Sequence, residues 1–181
     1  MVKLLLELGL STNDIPGTMT PLMEAAQAGS AECVQLLLAH GAKPNTRGVD
    51  NWPMLIFAAQ GTNAECTRLL LQAGARPDSR NKVKLNALHY AVDNNQPDTV
   101  AVLLEYKANP TLRDNSDHTV LDIAIKQDYT ECIQLLAECN PPGKDGQVYL
   151  SSALKQALTA GNAELAQYLI SKGADPHAVD E

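Results

Sequence analysis

Apolar positions along this chain come in short clusters separated by polar turns. Thr20 to Leu38 sets the pattern: Leu22, Met23, Ala25 and Ala26, then Gln27 to Ser30, then Val34 and Leu36-Leu37-Leu38. Two short apolar segments of this kind predict two short helices joined by a tight turn. The plan recurs every 33 residues. Leu22 maps onto Leu55, Leu88, Leu121 and Leu154, and Ala25 onto Ala58, Ala91, Ala124 and Ala157. Leu37 maps onto Leu70, Leu103, Leu136 and Leu169, and Ala25–Asn45 aligns without a gap on Ala58–Asp78. A period of 33 with two apolar helical segments predicts stacked helix pairs.

Several copies share recognisable motifs. They are Thr20-Pro21-Leu22, Ala87-Leu88-His89, the Ala-Ala pairs, the Leu-Leu-Leu runs, and Gly-Ala-x-Pro at Gly41 and Gly74. In these the chain resembles the ankyrin repeat family along essentially its whole length. The resemblance implies an all-α solenoid of helix-turn-helix units with hairpin-like finger loops, read here as one domain over 1–181. Residues 1–14 form a partial repeat, and 15–47, 48–80, 81–113, 114–146 and 147–179 are five full repeats, each a finger, an inner helix, a turn, an outer helix and a loop. Neither end carries a polar cap of the kind terminal repeats need, so the chain reads as a fragment of a longer array.

Local signals agree with this register. Thr20, Asn86, Thr119 and Ser152 hold an N-cap position, whereas Pro53 in the same slot cannot cap with a side chain. The mid-repeat turn requires a residue tolerant of positive φ, which Gly29, Asn95, Asp128 and Gly161 supply. Thr62 does not, and Gly61 one place earlier suggests a shifted turn. Asn140-Pro141-Pro142-Gly143 predicts a distorted loop within the array, and Pro97 is tolerated at the start of an outer helix.

Composition narrows the function. Aromatic residues make up 4% of the chain and the net charge is −7. A general nucleic-acid binder would show a basic footprint. No apolar run approaches the length of a membrane span, and no signal peptide is visible. The expectation is a cytoplasmic or nuclear protein with no nucleic-acid partner, membrane insertion, small-molecule substrate or cofactor.

Little in the chain points to chemistry. Cys33, Cys66 and Cys132 share one repeat position. Adjacent helices pack about 8–10 Å apart, beyond the roughly 7 Å that a disulfide tolerates. These cysteines therefore read as packing residues, with no metal site, and Cys139 as a loop-edge thiol. His40, His89, His118 and His177 are scattered, and no nucleotide, zinc-hydrolase or nucleophile-elbow motif is present, so the segment reads as non-catalytic. The resemblance puts His89 where histidine bridges neighbouring repeats. Arg47, Arg80 and Arg113 recur at the end of each loop and suggest a secondary basic stripe for an acidic or phosphorylated segment.

The strongest functional signal is apolar residues where the pattern expects polar ones. The resemblance places finger tips and inner helices on a concave partner face. Met19, Trp52 and Leu85 share one finger position, and Glu24, Phe57 and Tyr90 share one inner-helix position. Aromatic residues and Met are enriched at interface hot spots. The predicted partner groove comprises Met19, Met23, Trp52, Phe57, Leu85 and Tyr90, rimmed by Gln27, Asp50, Gln60 and Asp93. Val148 and Tyr149 suggest a second, smaller finger patch. The expected function is a protein–protein interaction module that presents a rigid surface to a peptide or folded protein. The alternative is a regulatory or spacer segment of a larger enzyme, channel or ubiquitin-ligase adaptor in which binding is done elsewhere.

Overall fold

The computed structural model describes residues 19–139 and 144–177. The partial repeat at 1–14, the Asn140–Gly143 loop and the tail beyond His177 lie outside the described residues. The chain divides into two compact units, residues 1–108 and 109–181, where the repeat pattern reads as one domain.

All regular structure among the described residues is helical. The first unit contains α1 (Pro21–Gln27), α2 (Ala31–Ala39), α3 (Met54–Gln60), α4 (Ala64–Gln72), α5 (Ala87–Asp93) and α6 (Pro97–Glu105). Within it α3 packs between α1 and α5, and α4 packs between α2 and α6. The second unit contains α7 (Val120–Lys126), α8 (Thr130–Glu138), α9 (Lys144–Thr159) and α10 (Ala163–Ser171), with α7 packed on both α8 and α9. Helices of seven to nine residues are too short to persist alone; side-chain burial between neighbours holds them. Leu22, Leu55, Leu88, Leu121 and Leu154 are all buried, as are Leu37, Leu70, Leu103, Leu136 and Leu169. Each such burial contributes roughly 1.5–3 kcal/mol.

The caps follow the sequence through four repeats. Thr20 Oγ1 accepts the N–H of Met23 at 3.3 Å, and Asn86 and Thr119 each form a reciprocal capping box with the third helical residue. Pro53 makes no side-chain cap; the N–H of Met54 instead reaches the carbonyl of Thr46 at 3.0 Å. Pro97 is the first residue of α6. Gly29, Asn95, Asp128 and Gly161 all have positive φ. Gly61 does not supply a shifted left-handed turn: its φ is −70°. A Cβ there would lie 2.6 Å from the carbonyl oxygen of Ala26 and 2.9 Å from that of Gln27. The glycine lets α3 approach the end of α1.

Three fingers share one hairpin geometry. The N–H groups of Gly48, Asn81 and Asp114 donate to the carbonyls of Trp52, Leu85 and His118 at 2.9, 2.9 and 3.0 Å. At each tip, Asn51, Lys84 and Asp117 adopt φ of 66°, 62° and 65°. The last repeat departs from this plan. Ser151 and Ser152, expected on a finger and at a cap, lie inside the sixteen-residue α9. Leu150 stands where the other tips need a left-handed residue, a conformation costly for a bulky side chain. Gln147 stands where Asn81 and Asp114 fold their side chains onto the tip. The segment therefore continues as helix. Tyr149 is 1% exposed, so the predicted Val148–Tyr149 patch reduces to the exposed Val148.

Candidate functional site

The second finger and the first turns of α3 and α5 bring the predicted aromatic residues together. Trp52 ends the second finger, Phe57 faces it from α3, and Tyr90 faces it from α5. The Trp52 ring centroid is 6.1 Å from that of Phe57 and 5.2 Å from that of Tyr90, with interplanar angles of 44° and 50°. These are tilted contacts of the kind favoured by ring quadrupoles, within the usual 4.5–7 Å. Trp52 and Tyr90 are half-buried, so each keeps one side toward solvent.

Phe57 and Met23 differ from expectation. Phe57 is 6% exposed and Met23 is 0% exposed, so neither offers a contact surface. Phe57 packs against Trp52, and together with Met23 it fills the space beside Gly48. The cause lies at Gly48, where the other fingers carry Asn81 and Asp114. In those fingers the side-chain Oδ1 accepts two backbone N–H groups of the tip, from Val83 and Leu85 and from Ser116 and His118. Gly48 cannot do this, and its empty Cβ position is adjoined by Met23 and Phe57 instead. The second finger closes its tip with a 3₁₀ turn over Val49–Asn51, with Asp50 at φ 54°.

Met19 and Leu85 are half-buried. Gln27 and Gln60 are joined by a side-chain hydrogen bond of 3.4 Å between α1 and α3. Asp93 is exposed, and Asp50 pairs with Lys82 of the next finger at 3.7 Å, with both side chains more than two-thirds exposed. Such a pair contributes little to stability. Tyr90 has its phenol pushed above the ordinary value, chiefly by burial and also by Asp93, while the Asn81 side chain pulls the other way. Two residues passed over in the sequence belong to the same finger tips: Val49 is 47% exposed and Val83 is 48% exposed. A β-branched apolar residue in an otherwise polar tip was the available signal.

Two of the three ladder arginines, Arg47 and Arg113, turn onto their own fingers, while Arg80 is exposed. Arg47 Nη1 donates to the carbonyl of Asn51 at 2.8 Å and to that of Arg80 at 3.1 Å. In the second unit Arg113 Nη1 donates to the carbonyl of Asp117 at 2.5 Å and lies 3.5 Å from its carboxylate. Arg47 and Arg113 thus brace the tips of their own fingers across the left-handed residue. Arg80 contributes its main-chain carbonyl.

The other polar candidates are structural. His89 is buried and its Nδ1 lies 2.6 Å from Asn86 Oδ1 in the capping box. Asp122 occupies the equivalent slot of the second unit. It accepts from the N–H and hydroxyl of Thr119, both at 2.8 Å, and from Ser152 and Gln156 of α9. His118 lies beside Asp114 at 3.9 Å. His40 sits on the carbonyl of Leu36 at 2.8 Å, and His177 is exposed. Cys66 and Cys132 are fully buried and Cys33 is half-buried; burial pushes the thiols of Cys66 and Cys132 up. Cys139 is exposed as a residue, but its thiol donates to the carbonyl of Leu136 at 3.0 Å and burial pushes it up to about 11. These three raised thiols are the opposite of a reactive thiolate, whose pKa is lowered.

No helix among the described residues is long and apolar enough to cross a membrane. No curated protein matches the chain. The family described as ankyrin repeats (3 copies) matches residues 1–48, 44–114 and 108–180. Ankyrin repeats are generally non-catalytic protein–protein interaction modules, and this chain belongs to the ankyrin repeat family.

Proposed function

We propose that the first unit docks a protein or peptide on the finger and inner-helix face around Trp52. The observation that carries this reading is the half-exposed Trp52–Tyr90 pair, with Trp52 packed against the buried Phe57. Half-buried aromatic side chains with fixed rotamers lose little conformational entropy on binding, which is why they recur as hot spots. Val49, Val83, Met19 and Leu85 extend the apolar surface, and Asp50, Asp93 and Gln27 supply a polar rim. Phe57 supports Trp52, and the buried Phe57 and Met23 do not touch the partner. A spacer segment would need no such half-exposed aromatic pair.

The test is affinity capture with the wild-type chain, with W52A/Y90A and with V148A, whose side chain lies in the second unit. The proposal expects a partner retained by wild type and V148A and lost with W52A/Y90A, while thermal unfolding of the double variant remains cooperative. Equal capture by all three would overturn it.

A further inference from the structure

We infer that a small pocket at the base of the second finger binds a phosphomonoester group. The pocket has a volume of ≈ 60 Å³ and is lined by Asn45, Arg47, Pro53, Arg76 and Ser79, among others. That is several times the room one water needs and far below the roughly 300–1,000 Å³ of a site for a whole small molecule. It accommodates one compact group.

The two arginines lining it are held by the loops that carry them. Asn45 clamps the two loops: its Nδ2 donates to the carbonyl of Gly74 at 2.8 Å, and its Oδ1 accepts the N–H of Arg76 at 2.9 Å. Arg47 is pinned through Nη1 by its two carbonyl bonds. Those bonds satisfy one nitrogen of the guanidinium and neutralise none of its charge. Arg68, Lys82, Arg113 and Lys172 each have a carboxylate partner, whereas Arg47 and Arg76 make no ion pair among the described residues. Two arginines without an ion-paired carboxylate thus line one pocket of a chain whose net charge is −7.

A phosphomonoester suits this arrangement by charge and shape. It carries about −1.5 to −2 at neutral pH and three acceptor oxygens. A guanidinium offers several donors in a fixed plane, and charge-assisted bonds to phosphate are about twice as strong as neutral ones. Ser79, whose hydroxyl can serve as a neutral donor, lines the same pocket. A carboxylate has half the charge and only two oxygens. This site does not depend on the Trp52 face being a docking surface.

The test is an NMR titration of the isotope-labelled chain with inorganic phosphate, phenyl phosphate and acetate, each at constant ionic strength maintained with sodium chloride. The inference expects saturable shifts of Asn45, Arg47, Arg76 and Ser79 with phenyl phosphate. Acetate should give weak or no saturation. Arg76→Gln should weaken phenyl phosphate binding about tenfold, the loss of one charged hydrogen-bonding partner, while Arg80→Gln leaves it unchanged. Saturation by inorganic phosphate alone would overturn the phosphomonoester assignment. Equal responses to acetate and phenyl phosphate, or equal weakening by Arg76→Gln and Arg80→Gln, would reduce the site to diffuse electrostatics and overturn it as well.

Discussion

A Cβ on Gly48 would stand 3.0 Å from Cζ of Phe57 and 2.8 Å from Sδ of Met23. The backbone of Gly48 is extended, at φ −90° and ψ −154°, so the glycine is required for space rather than for conformation. The aromatic residue in α3 and the missing side chain in the finger are two halves of one packing arrangement. Gly48→Ala should cost about 1–3 kcal/mol, the usual penalty of overpacking a filled site. Phe57→Leu alone should also destabilise, through the cavity it leaves. The double variant should be less destabilised than the sum of the two. A double-mutant cycle in urea, read as ΔΔG of unfolding, measures that coupling; strict additivity would show that the two positions are independent.

Gly61 presents a harder constraint, because what a Cβ would meet is backbone. The carbonyl oxygens of Ala26 and Gln27 lie 2.6 and 2.9 Å from that position. Flexible side chains can yield at Gly48, but here α1 and α3 would have to separate. Gly61→Ala should therefore destabilise more than Gly48→Ala, by about 3 kcal/mol or more. Thermal unfolding of the two variants side by side gives the order, and a Gly61→Ala variant as stable as wild type would contradict the close approach.

The same pair of positions marks what was legible in the sequence. The register of the repeats, the caps at Thr20, Asn86 and Thr119, and the left-handed turns at Gly29, Asn95, Asp128 and Gly161 could be read because each depends on a local rule. The burial of Phe57 could not be read from its slot. Glu24 in that slot is exposed and Tyr90 half-buried, whereas Phe57 turns inward into room that Gly48, nine residues earlier, leaves. Such pairwise fits do not repeat with the period. The helix replacing the last finger was legible in principle, since Gln147 and Leu150 lack the side-chain turn and left-handed tolerance of Asn81, Lys84, Asp114 and Asp117. The even period masked that loss.

Thr67 offers a stabilising substitution. It is fully buried, and its hydroxyl has no hydrogen-bond partner among the described residues. The equivalent positions carry Val34, Val100 and Ile133, all buried. Thr67→Val replaces a hydroxyl with a methyl group of nearly the same size and should raise stability by roughly 1 kcal/mol, since a buried unsatisfied polar group costs about 1–3 kcal/mol. The midpoint of urea unfolding should rise with an unchanged m-value. A lower midpoint would mean that the hydroxyl is satisfied in solution.

Tyr149 combines the same defect with a pH dependence. It is 1% exposed in α9, and its hydroxyl has no partner among the described residues. Burial, with contributions from Cys139 and Asp122, pushes its phenol well above the ordinary value of 10.0. A phenol whose pKa is higher in the folded chain than in the unfolded one keeps its proton longer when folded. Below about pH 10 the two states bind that proton equally, and no pH dependence arises from it. Above pH 10 the unfolded chain ionises first, so stability falls with rising pH until the folded pKa is reached. The buried thiols of Cys66 and Cys132, raised from 9.0, add losses of the same sign from about pH 9. Tyr149→Phe removes the phenol from this balance and relieves the unsatisfied hydroxyl. It should be more stable than wild type by roughly 1 kcal/mol at pH 7, and the gap should widen between pH 10 and pH 11. Urea midpoints of the two proteins at pH 7, 9, 10 and 11 test both parts. A constant gap across that range would show that the hydroxyl ionises as readily in the folded chain as in the unfolded one.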